Sequence, residues 1–320
     1  MRDAIASTGL NLSNMIVLTE AASGAYGVTP VIAALADARR VYAFTRSTKH
    51  GTVAEVTEWM MALASAAGVT DRISVIETLP PDVLRSVDII TNSGHLRPIN
   101  SDMIGHLPSR AVIALMFEAW EFRPEDIDFV ACQQRQIPIV GVNEHHPTVD
   151  VFSYLGPLCV KLLFDAGIPV YRSRIALLCD NGFAEPILRG LVGAGASAVI
   201  FSTVESIPED CWDAIVVSLQ PGSTLRINAM QAAHLAQVAP PEALVAQFWG
   251  DVDHDALLAN NLKVWPLVPP RLGHMAILLS AIGPDPIVRL QTGGLRAAEW
   301  IFRGGGVVPE GIAQLVELQE

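Results

Sequence analysis

The sequence predicts an α/β protein of two domains, each built on a doubly wound parallel sheet. Short apolar segments of strand length alternate with segments of helix length along most of the chain, a pattern typical of parallel sheets covered by helices. The chain has 320 residues, enough for two domains that each bury a core. A long apolar segment at 151–166 interrupts the alternation, which begins again after it.

The first half contains the strand-like segments 15–19, 40–45, 72–76, 88–91, 111–117 and 137–142. Helices are predicted between them at 29–38 and 53–67, and the second ends at Gly68, where glycine commonly closes a helix. The second half contains the strand-like segments 173–179, 198–201, 213–219 and 243–248, with a helix at 184–194.

The segment 271–302 also has helical character and is placed to cross back to the first domain. We therefore predict one domain from 1–152 together with 285–320, and a second domain from 153–284. Ligands of such proteins commonly bind at domain interfaces, so an interdomain cleft is the expected site.

Composition and charge exclude several functional classes. Hydrophobic residues make up 51% of the chain, but no window approaches the roughly 18 uninterrupted apolar residues of a membrane span. The formal net charge of -12 and the lack of a basic cluster argue against a nucleic-acid partner. Residues 1–14 have no apolar core of a secretory leader. We expect a cytoplasmic protein that acts on a small molecule, without a membrane or nucleic-acid partner.

The 4 cysteines are scattered, with no CxxC pair and no metal-ligand spacing. They are Cys132, Cys159, Cys179 and Cys211, and each lies in an apolar stretch. We predict buried free thiols in a reducing compartment, and no metal site.

A polar run, Asn143-Glu144-His145-His146, follows one predicted strand. Other polar side chains follow neighbouring strands; they are Ser93, His95, Glu118 and Glu121. Carboxyl ends of parallel strands meet at one edge of a sheet, where ligands bind, and imidazole with carboxylate suits proton transfer near neutral pH. We therefore predict Glu118, Glu121, Glu144, His145 and His146 as catalytic, and Ser93, His95 and Asn143 as substrate-binding. The alternative is a hydrogen-bonded loop in which one His packs and the other is solvated.

The first strand is followed by Ala21-Ala-Ser-Gly-Ala-Tyr-Gly27 and then by a helix. Backbone N–H groups at a helix N-terminus attract anions, and Gly24 and Gly27 permit close approach. Ser23, Gly24 and Gly27 are therefore candidate substrate-binding residues. The alternative is a strand–helix turn that needs small residues.

A series of motifs runs through residues 88–275, in the segments 88–93, 111–117, 126–137, 140–143, 214–221 and 227–257. In their order, these motifs resemble the D-isomer-specific 2-hydroxyacid dehydrogenase family. The resemblance implies two Rossmann/flavodoxin-like domains, a substrate-type first domain and a cofactor-type second one. It also implies NAD or NADP as cofactor and hydride transfer on a small substrate.

The cofactor positions implied by the resemblance depart from the family pattern. Gly-x-Gly-x-x-Gly falls on Cys179-Asp-Asn-Gly-Phe-Ala184, so all three glycines are replaced. The implied cofactor-binding residues are Asn181, Gly182, Phe183, Ser202, Gln220 and Pro221. Side chains at positions that glycine normally occupies argue against ordinary dinucleotide binding.

The catalytic positions implied by the resemblance are also altered. The family's carboxylate-binding Arg falls on Trp249, and its acid/base His on His274, with no Glu between Asp255 and His274 to pair with it. Trp249 either fills the core or stacks on a substrate ring or cation. Glu118 and Glu121 replace an anion-binding glycine turn and would repel a substrate carboxylate.

Three hypotheses remain open at this stage. The first is NAD(P)-dependent oxidoreduction with His274 or another His as acid/base. The second is a non-redox enzyme without nicotinamide cofactor that performs proton transfer, elimination, cyclisation or group transfer with the glutamates. The third is a catalytically silent binding protein. Since 167–172 is too short for the family's dimerisation arm, we expect a monomer or a differently built dimer.

Overall fold

The computed structural model describes residues 1–48, 51–222, 224–241 and 243–317. It divides into two compact units, the first comprising Met1–Val151 and Pro284–Glu320 and the second Phe152–Gly283. Each unit is an α/β domain with its own largely parallel sheet, which confirms the predicted fold class.

The strands of the first unit are β1 (Ile16–Glu20), β2 (Arg40–Phe44), β3 (Ile73–Ile76), β4 (Ile89–Thr91), β5 (Val112–Ala114) and β6 (Ile139–Val142). Those of the second are β7 (Arg174–Cys179), β8 (Ser197–Phe201), β9 (Ala214–Ser218), β10 (Leu244–Trp249) and β11 (Lys263–Trp265). The last strand, β12 (Ala313–Leu315), returns to the first unit and pairs antiparallel with β6.

The helices of the first unit before the crossover are α1 (Arg2–Thr8), α2 (Thr29–Leu35), α3 (Val53–Ala67), α4 (Pro81–Leu84), α5 (Ser101–His106) and α6 (Phe129–Arg135). The second unit contains α7 (Leu155–Asp165), α8 (Ala184–Gly193), α9 (Ala229–Val238) and α10 (His254–Ala259), and α11 (Asp285–Phe302) belongs to the first unit again. Among the described residues, no helix is long and apolar enough to cross a membrane.

Strand order defines where each sheet changes direction. The first sheet has the order β12-β6-β5-β4-β1-β2-β3. Strands β2 and β3 extend the sheet on one side of β1, and β4, β5 and β6 extend it on the other side. The reversal point of this sheet therefore lies between β1 and β4. The second has the order β11-β10-β9-β7-β8, and its reversal lies between β7 and β9. In open α/β sheets, ligands bind outside the carboxyl ends of the strands at such reversal points.

Both faces of the second sheet are buried at its central strands, as alternation along β7 shows. Ile175 and Leu177 pack in one core with α7 and α8, while Ala176 and Leu178 pack in the other with α9. Successive side chains of a strand point to opposite faces, so a strand covered on both sides must be apolar throughout. This explains why the strands of this sequence are continuous apolar runs.

Two sequence-based predictions about this architecture are wrong. The helix expected over 271–302 begins only at Asp285, because Gly283 has a φ of 109° and Pro284 follows it. The expectation that all cysteines are buried fails at Cys211, which is exposed in the loop before β9. The other three cysteines are buried free thiols.

Candidate active site

The carboxyl edge of the first sheet gathers the polar residues that follow its central strands. Glu20 ends β1, Ser93 follows β4, Glu118 follows β5 and Asn143 follows β6. These four strands are adjacent and parallel in the sheet, so the segments after them lie along one edge. The edge includes the reversal point between β1 and β4, where the fold favours a ligand.

Three glutamates form a carboxyl cluster at this edge, and Glu118 is its hydrogen-bonded member. The Glu118 carboxyl is buried, with the residue 7% exposed. The Trp120 indole Nε1 donates to Glu118 Oε2 over 2.5 Å, and the Glu144 backbone N–H donates to Oε1 over 3.1 Å. Two N–H donors thus hold the Glu118 carboxyl in place within the cluster.

The other two members of the carboxyl cluster, Glu121 and Glu144, hold protons unusually tightly. Burial, reinforced by the neighbouring Glu118 charge, raises the pKa of Glu121 to about 7 against the opposing effect of Arg123. Burial also raises the pKa of Glu144 well above its ordinary value, with Glu121 and Glu118 adding to the effect. A carboxyl group with a pKa of about 7, as Glu121 has, exchanges a proton readily at neutral pH, which suits general acid–base chemistry.

Backbone contacts hold the loop that carries Glu118 and Glu121 against β6. A Cβ on Gly141 would lie 2.4 Å from the Ala119 backbone N, so only glycine lets the loop approach this closely. The Ala119 N–H donates to Gln314 Oε1 over 2.9 Å. Sequence reasoning missed Gln314, which lies on the short terminal strand β12 and reaches the site only through antiparallel pairing with β6.

Asn143, predicted to bind substrate, has a structural role in the described residues. Its Nδ2 donates to Gly311 O over 3.0 Å, and its Oδ1 accepts the His145 backbone N–H over 3.0 Å. These contacts fix the turn after β6 and use both ends of the amide. This turn also places the Glu144 backbone N–H where it donates to Glu118 Oε1.

A hydroxyl chain lies beside the β1–β4 reversal point. Ser93 Oγ is 2.7 Å from Thr91 Oγ1, which donates to Thr19 Oγ1 over 2.8 Å. The Glu20 carboxyl accepts the His95 backbone N–H over 3.3 Å, and burial raises its pKa. Ser93 and His95 are thus at the predicted edge, and Glu20 is a further titratable residue that we did not predict. Its position as the last residue of the first strand is the signal that would have identified it.

The His146 ring hydrogen-bonds a threonine rather than the carboxyl cluster with which it was predicted to act. His145 is exposed, and the His146 ring hydrogen-bonds Thr148 Oγ1 over 2.9 Å rather than a glutamate. His274, in the second unit, is exposed, with its Nδ1 3.0 Å from Leu272 O. In the part of the chain that the structure describes, no carboxylate hydrogen-bonds to His274. His274 therefore lacks the partner that an acid/base His of the resembling family would have.

Local packing accounts for the glycine loop after β1. A Cβ on Gly27 would lie 2.0 Å from Ala22 O and 2.5 Å from the Trp59 ring, so packing alone requires glycine there. Gly24 has a φ of 67°, which glycine adopts without strain. The helix α2 that follows has only 7 residues. The strand–helix turn explains this loop without a ligand, and substrate binding by Ser23, Gly24 and Gly27 stays a prediction.

In the second unit, side chains from the turn after β7 hydrogen-bond to the end of β9, across the reversal point between these two strands. Asn181 Nδ2 donates to Ser218 O over 2.8 Å, while its Oδ1 accepts the Phe183 N–H over 3.0 Å. Asp180 accepts the Gln220 N–H over 2.9 Å and pairs with Arg226 at 2.7 Å. Burial opposes ionisation of Asp180, but these donors lower the pKa of its carboxyl overall.

Aromatic rings cover the adjoining part of this edge. The Phe183 and Trp249 rings stack with centroids 4.7 Å apart and planes 20° from parallel. Phe152 packs edge-on against Phe183 at 5.3 Å. Trp249 is only 6% exposed, so it fills the core of this unit, as in the first of the two alternatives considered for it.

These residues do not fit a dinucleotide bound in the ordinary Rossmann manner. A pyrophosphate needs backbone N–H groups at a glycine-lined turn, whereas here the Phe183 N–H is already bonded to the Asn181 side chain. The Asp180 carboxylate adds negative charge at the same turn. Ser202, after β8, is exposed and offers no carboxylate for a ribose. Among the described residues, no group of three or more His, Cys, Asp or Glu is arranged to hold a metal ion.

Comparison with known proteins supports the fold. No family model matches the chain, and no curated protein is significantly similar to it in sequence. The dipicolinate synthase A chain of Bacillus subtilis superposes with a TM-score of 0.61 and 11% identity, covering 92% of this chain and 99% of that chain. NAD-dependent formate dehydrogenase from Staphylococcus aureus, in complex with NAD, has a TM-score of 0.55, 12% identity and coverages of 93% and 98%.

A third similar structure, the pyruvate reductase of Chlamydomonas reinhardtii, has a TM-score of 0.54, 11% identity and coverages of 94% and 99%. The chain therefore has the two-domain α/β fold of these three structures, which confirms the fold implied by the sequence resemblance. At these identities the likeness concerns the fold, and the site has to be argued from this chain's own residues.

The raised pKa of Glu121 predicts that stability depends on pH. Between about pH 4.5 and 7, the native state keeps a proton on Glu121 that the unfolded chain has lost, so the free energy of unfolding falls as pH rises through this window. We expect a fall of about 1–3 kcal/mol, measured by urea denaturation at a series of pH values. The Glu121→Gln variant should show a smaller fall, because glutamine does not titrate. Equal slopes in both proteins would show that Glu121 titrates normally.

Proposed function

We propose that the protein is an enzyme that moves a proton on a small-molecule substrate at the carboxyl cluster of its first unit. The observation that carries the proposal is the pKa of Glu121, which burial and the Glu118 charge raise to about 7. A carboxyl group with this pKa is half protonated near neutral pH, so it serves equally as general acid and general base. The chemistry is thus proton abstraction and return, as in isomerisation, elimination or cyclisation.

The three glutamates have different parts in this proposal. Glu121 takes and returns the proton, and Glu144, whose raised pKa favours its protonated form, offers a hydrogen bond to the substrate. Glu118 accepts the Trp120 and Glu144 N–H groups and helps to raise the pKa of the other two glutamates. A substrate carboxylate beside Glu118 would be repelled, so the reacting part of the substrate is neutral or cationic. Trp120 is 52% exposed beside the cluster and supplies an apolar surface against which the substrate packs.

Solvent-proton exchange provides a direct test of this activity. We would incubate the purified protein in D2O with a fractionated small-molecule extract and follow deuterium incorporation by mass spectrometry. The proposal expects a metabolite whose carbon-bound hydrogen exchanges only when the protein is present. An extract in which no compound exchanges hydrogen or changes mass would contradict it.

NAD(P)-dependent oxidoreduction is the second candidate, and the fold match favours it. The Staphylococcus aureus formate dehydrogenase of the same fold is in complex with NAD. In this chain a cofactor would have to bind near Asn181, Gly182, Phe183, Ser202, Gln220 and Pro221. The hydrogen bonds that join Asp180 and Asn181 to the end of β9 argue against cofactor binding at this turn.

Titration with NADH and NADPH separates the two candidates. We expect no saturable change in nicotinamide fluorescence up to millimolar cofactor, because in the turn after β7 the Phe183 N–H is bonded to Asn181 Oδ1 and the Asp180 carboxylate adds a negative charge that opposes a pyrophosphate. A dehydrogenase with an intact glycine loop serves as the positive control. Saturable binding of either cofactor would support the oxidoreductase and contradict the cofactor-free mechanism.

We extend the proposal to the assembly and location of the protein. The connection between α7 and β7 contains no helix, which supports a monomer or a dimer that is not built on the family's arm. The acidic charge of -12 supports a small molecule rather than a nucleic acid as partner. A cytoplasmic location stays a prediction.

A further inference from the structure

A cavity of about 220 Å³ lies in the first unit, and none of the three glutamates of the carboxyl cluster lines it. Its polar lining comes from Thr8, His146, Thr148 and Arg296, and its apolar lining includes Trp300 and Ile312. The volume is several times the ~30 Å³ share of a water molecule in the liquid, so it accommodates a small organic molecule. No carboxylate is among the residues that line it.

Arg296, on α11, supplies the permanent positive charge of this cavity. Its Nε donates to Thr8 O over 3.1 Å and its Nη1 pairs with Glu299, while its Nη2 has no partner in the described part of the chain. Glu299 is 3% exposed and also pairs with Arg303 at 2.7 Å, so one carboxylate is shared by two guanidinium groups. A net positive charge is left beside the cavity.

His146 offers a second donor. The Thr148 backbone N–H, which can only donate, lies 3.4 Å from His146 Nδ1, and the Thr148 hydroxyl lies 2.9 Å from the same atom. Nδ1 is therefore the acceptor of the ring, which places the proton of a neutral imidazole on Nε2. Nε2 has no partner in the described residues, so this N–H is available to a bound molecule.

We propose that this cavity binds a small organic carboxylate through Arg296 Nη2 and His146 Nε2, with the body of the ligand against Trp300 and Ile312. Arg296 Nη2 and His146 Nε2 are both hydrogen-bond donors, and no acidic group lines the cavity. An anion is therefore favoured over a cation or a neutral molecule. The Trp300 ring already receives the Arg296 guanidinium, 5.3 Å from its centroid, which holds the side chain in place. This assigns His146 to anion binding rather than to acid–base catalysis, and it does not rest on the proposed function.

Calorimetric titration with benzoate and with benzamide tests the charge requirement, because the two probes share a shape and differ in charge. We expect saturable binding of benzoate at least ~10-fold tighter than of benzamide. Equal affinity for both probes, or no binding of benzoate, would overturn the proposal.

Paired arginine variants test the residue assignment. Arg296→Met should weaken benzoate binding at least ~10-fold, whereas Arg289→Met removes another guanidinium of α11, one that pairs with Asp285 and does not line the cavity, and should leave the affinity within about twofold. Thr148→Val, which removes the hydroxyl beside His146 Nδ1, gives an independent variant that does not disturb Glu299. We expect it to weaken binding by several-fold. Equal losses in the two arginine variants, or unchanged affinity in both Arg296→Met and Thr148→Val, would contradict the assignment.

Discussion

Replacing Glu121 with glutamine should lower turnover by roughly 10²–10⁴-fold while the protein stays folded. Glutamine keeps the size and hydrogen-bonding capacity of a protonated glutamate, but it neither accepts nor returns a proton. The measurement is the rate of deuterium incorporation into the responsive metabolite, with circular dichroism and thermal unfolding as the test of folding.

Glu125→Gln is the matched control for this experiment. Glu125 lies four positions further along the same segment, is exposed, and should leave the rate within about twofold. If Glu121→Gln retained the full rate, the carboxyl cluster would have no part in the proton transfer. If both variants lost activity equally, the loss would reflect the overall charge of the segment rather than Glu121.

Replacing Gly141 with alanine should have the second largest effect, on stability and on the site together. The added Cβ would stand 2.4 Å from the Ala119 backbone N and 2.8 Å from its Cα, and backbone atoms cannot move aside as a flexible side chain can. We expect the free energy of unfolding to drop by about 1–3 kcal/mol in urea denaturation. Because the displaced loop carries Glu118 and Glu121, the pKa of Glu121 should also move towards its ordinary value.

Gly105→Ala provides the comparison for this variant. Gly105 lies in α5, and a Cβ there would meet nothing within 4 Å. Alanine is the better helix former, so this change should be neutral or stabilising by up to about 1 kcal/mol. A Gly141→Ala protein as stable as Gly105→Ala, with an unchanged titration of Glu121, would show that the loop is not held as the structure describes.

The carboxyl cluster was predictable because it depends on a rule of topology. Glu118, Glu121 and Glu144 follow two apolar segments that pair as neighbouring parallel strands, so their carboxyl ends had to lie side by side. Gln314 was not predictable in the same way. It follows a long helix, and only the antiparallel pairing of β12 with β6 brings its side chain to Ala119.

The histidines show where this reasoning stops. His145 and His146 share a turn with Glu144, and sequence proximity suggested that all three act together. In the structure the His146 ring bonds to Thr148 and lines a cavity with Arg296, which lies on α11. Side-chain direction within a turn is set by rotamers and local hydrogen bonds, which residue order does not specify.

The sequence by itself determined the fold class, the division of the chain into two α/β units and the edge of the sheet where polar residues gather. Hydrophobic periodicity and strand–helix alternation specify these features locally. Only the tertiary structure decided which of the polar residues act together. Burial and the neighbouring Glu118 charge raise the pKa of Glu121, and side-chain hydrogen bonds from Asp180 and Asn181 tie the turn after β7 to the end of β9. The burial of Glu121 and the hydrogen bonds at the turn after β7 both need segments that are far apart in the chain, because desolvation and hydrogen-bond energies depend on distance in space rather than on sequence order.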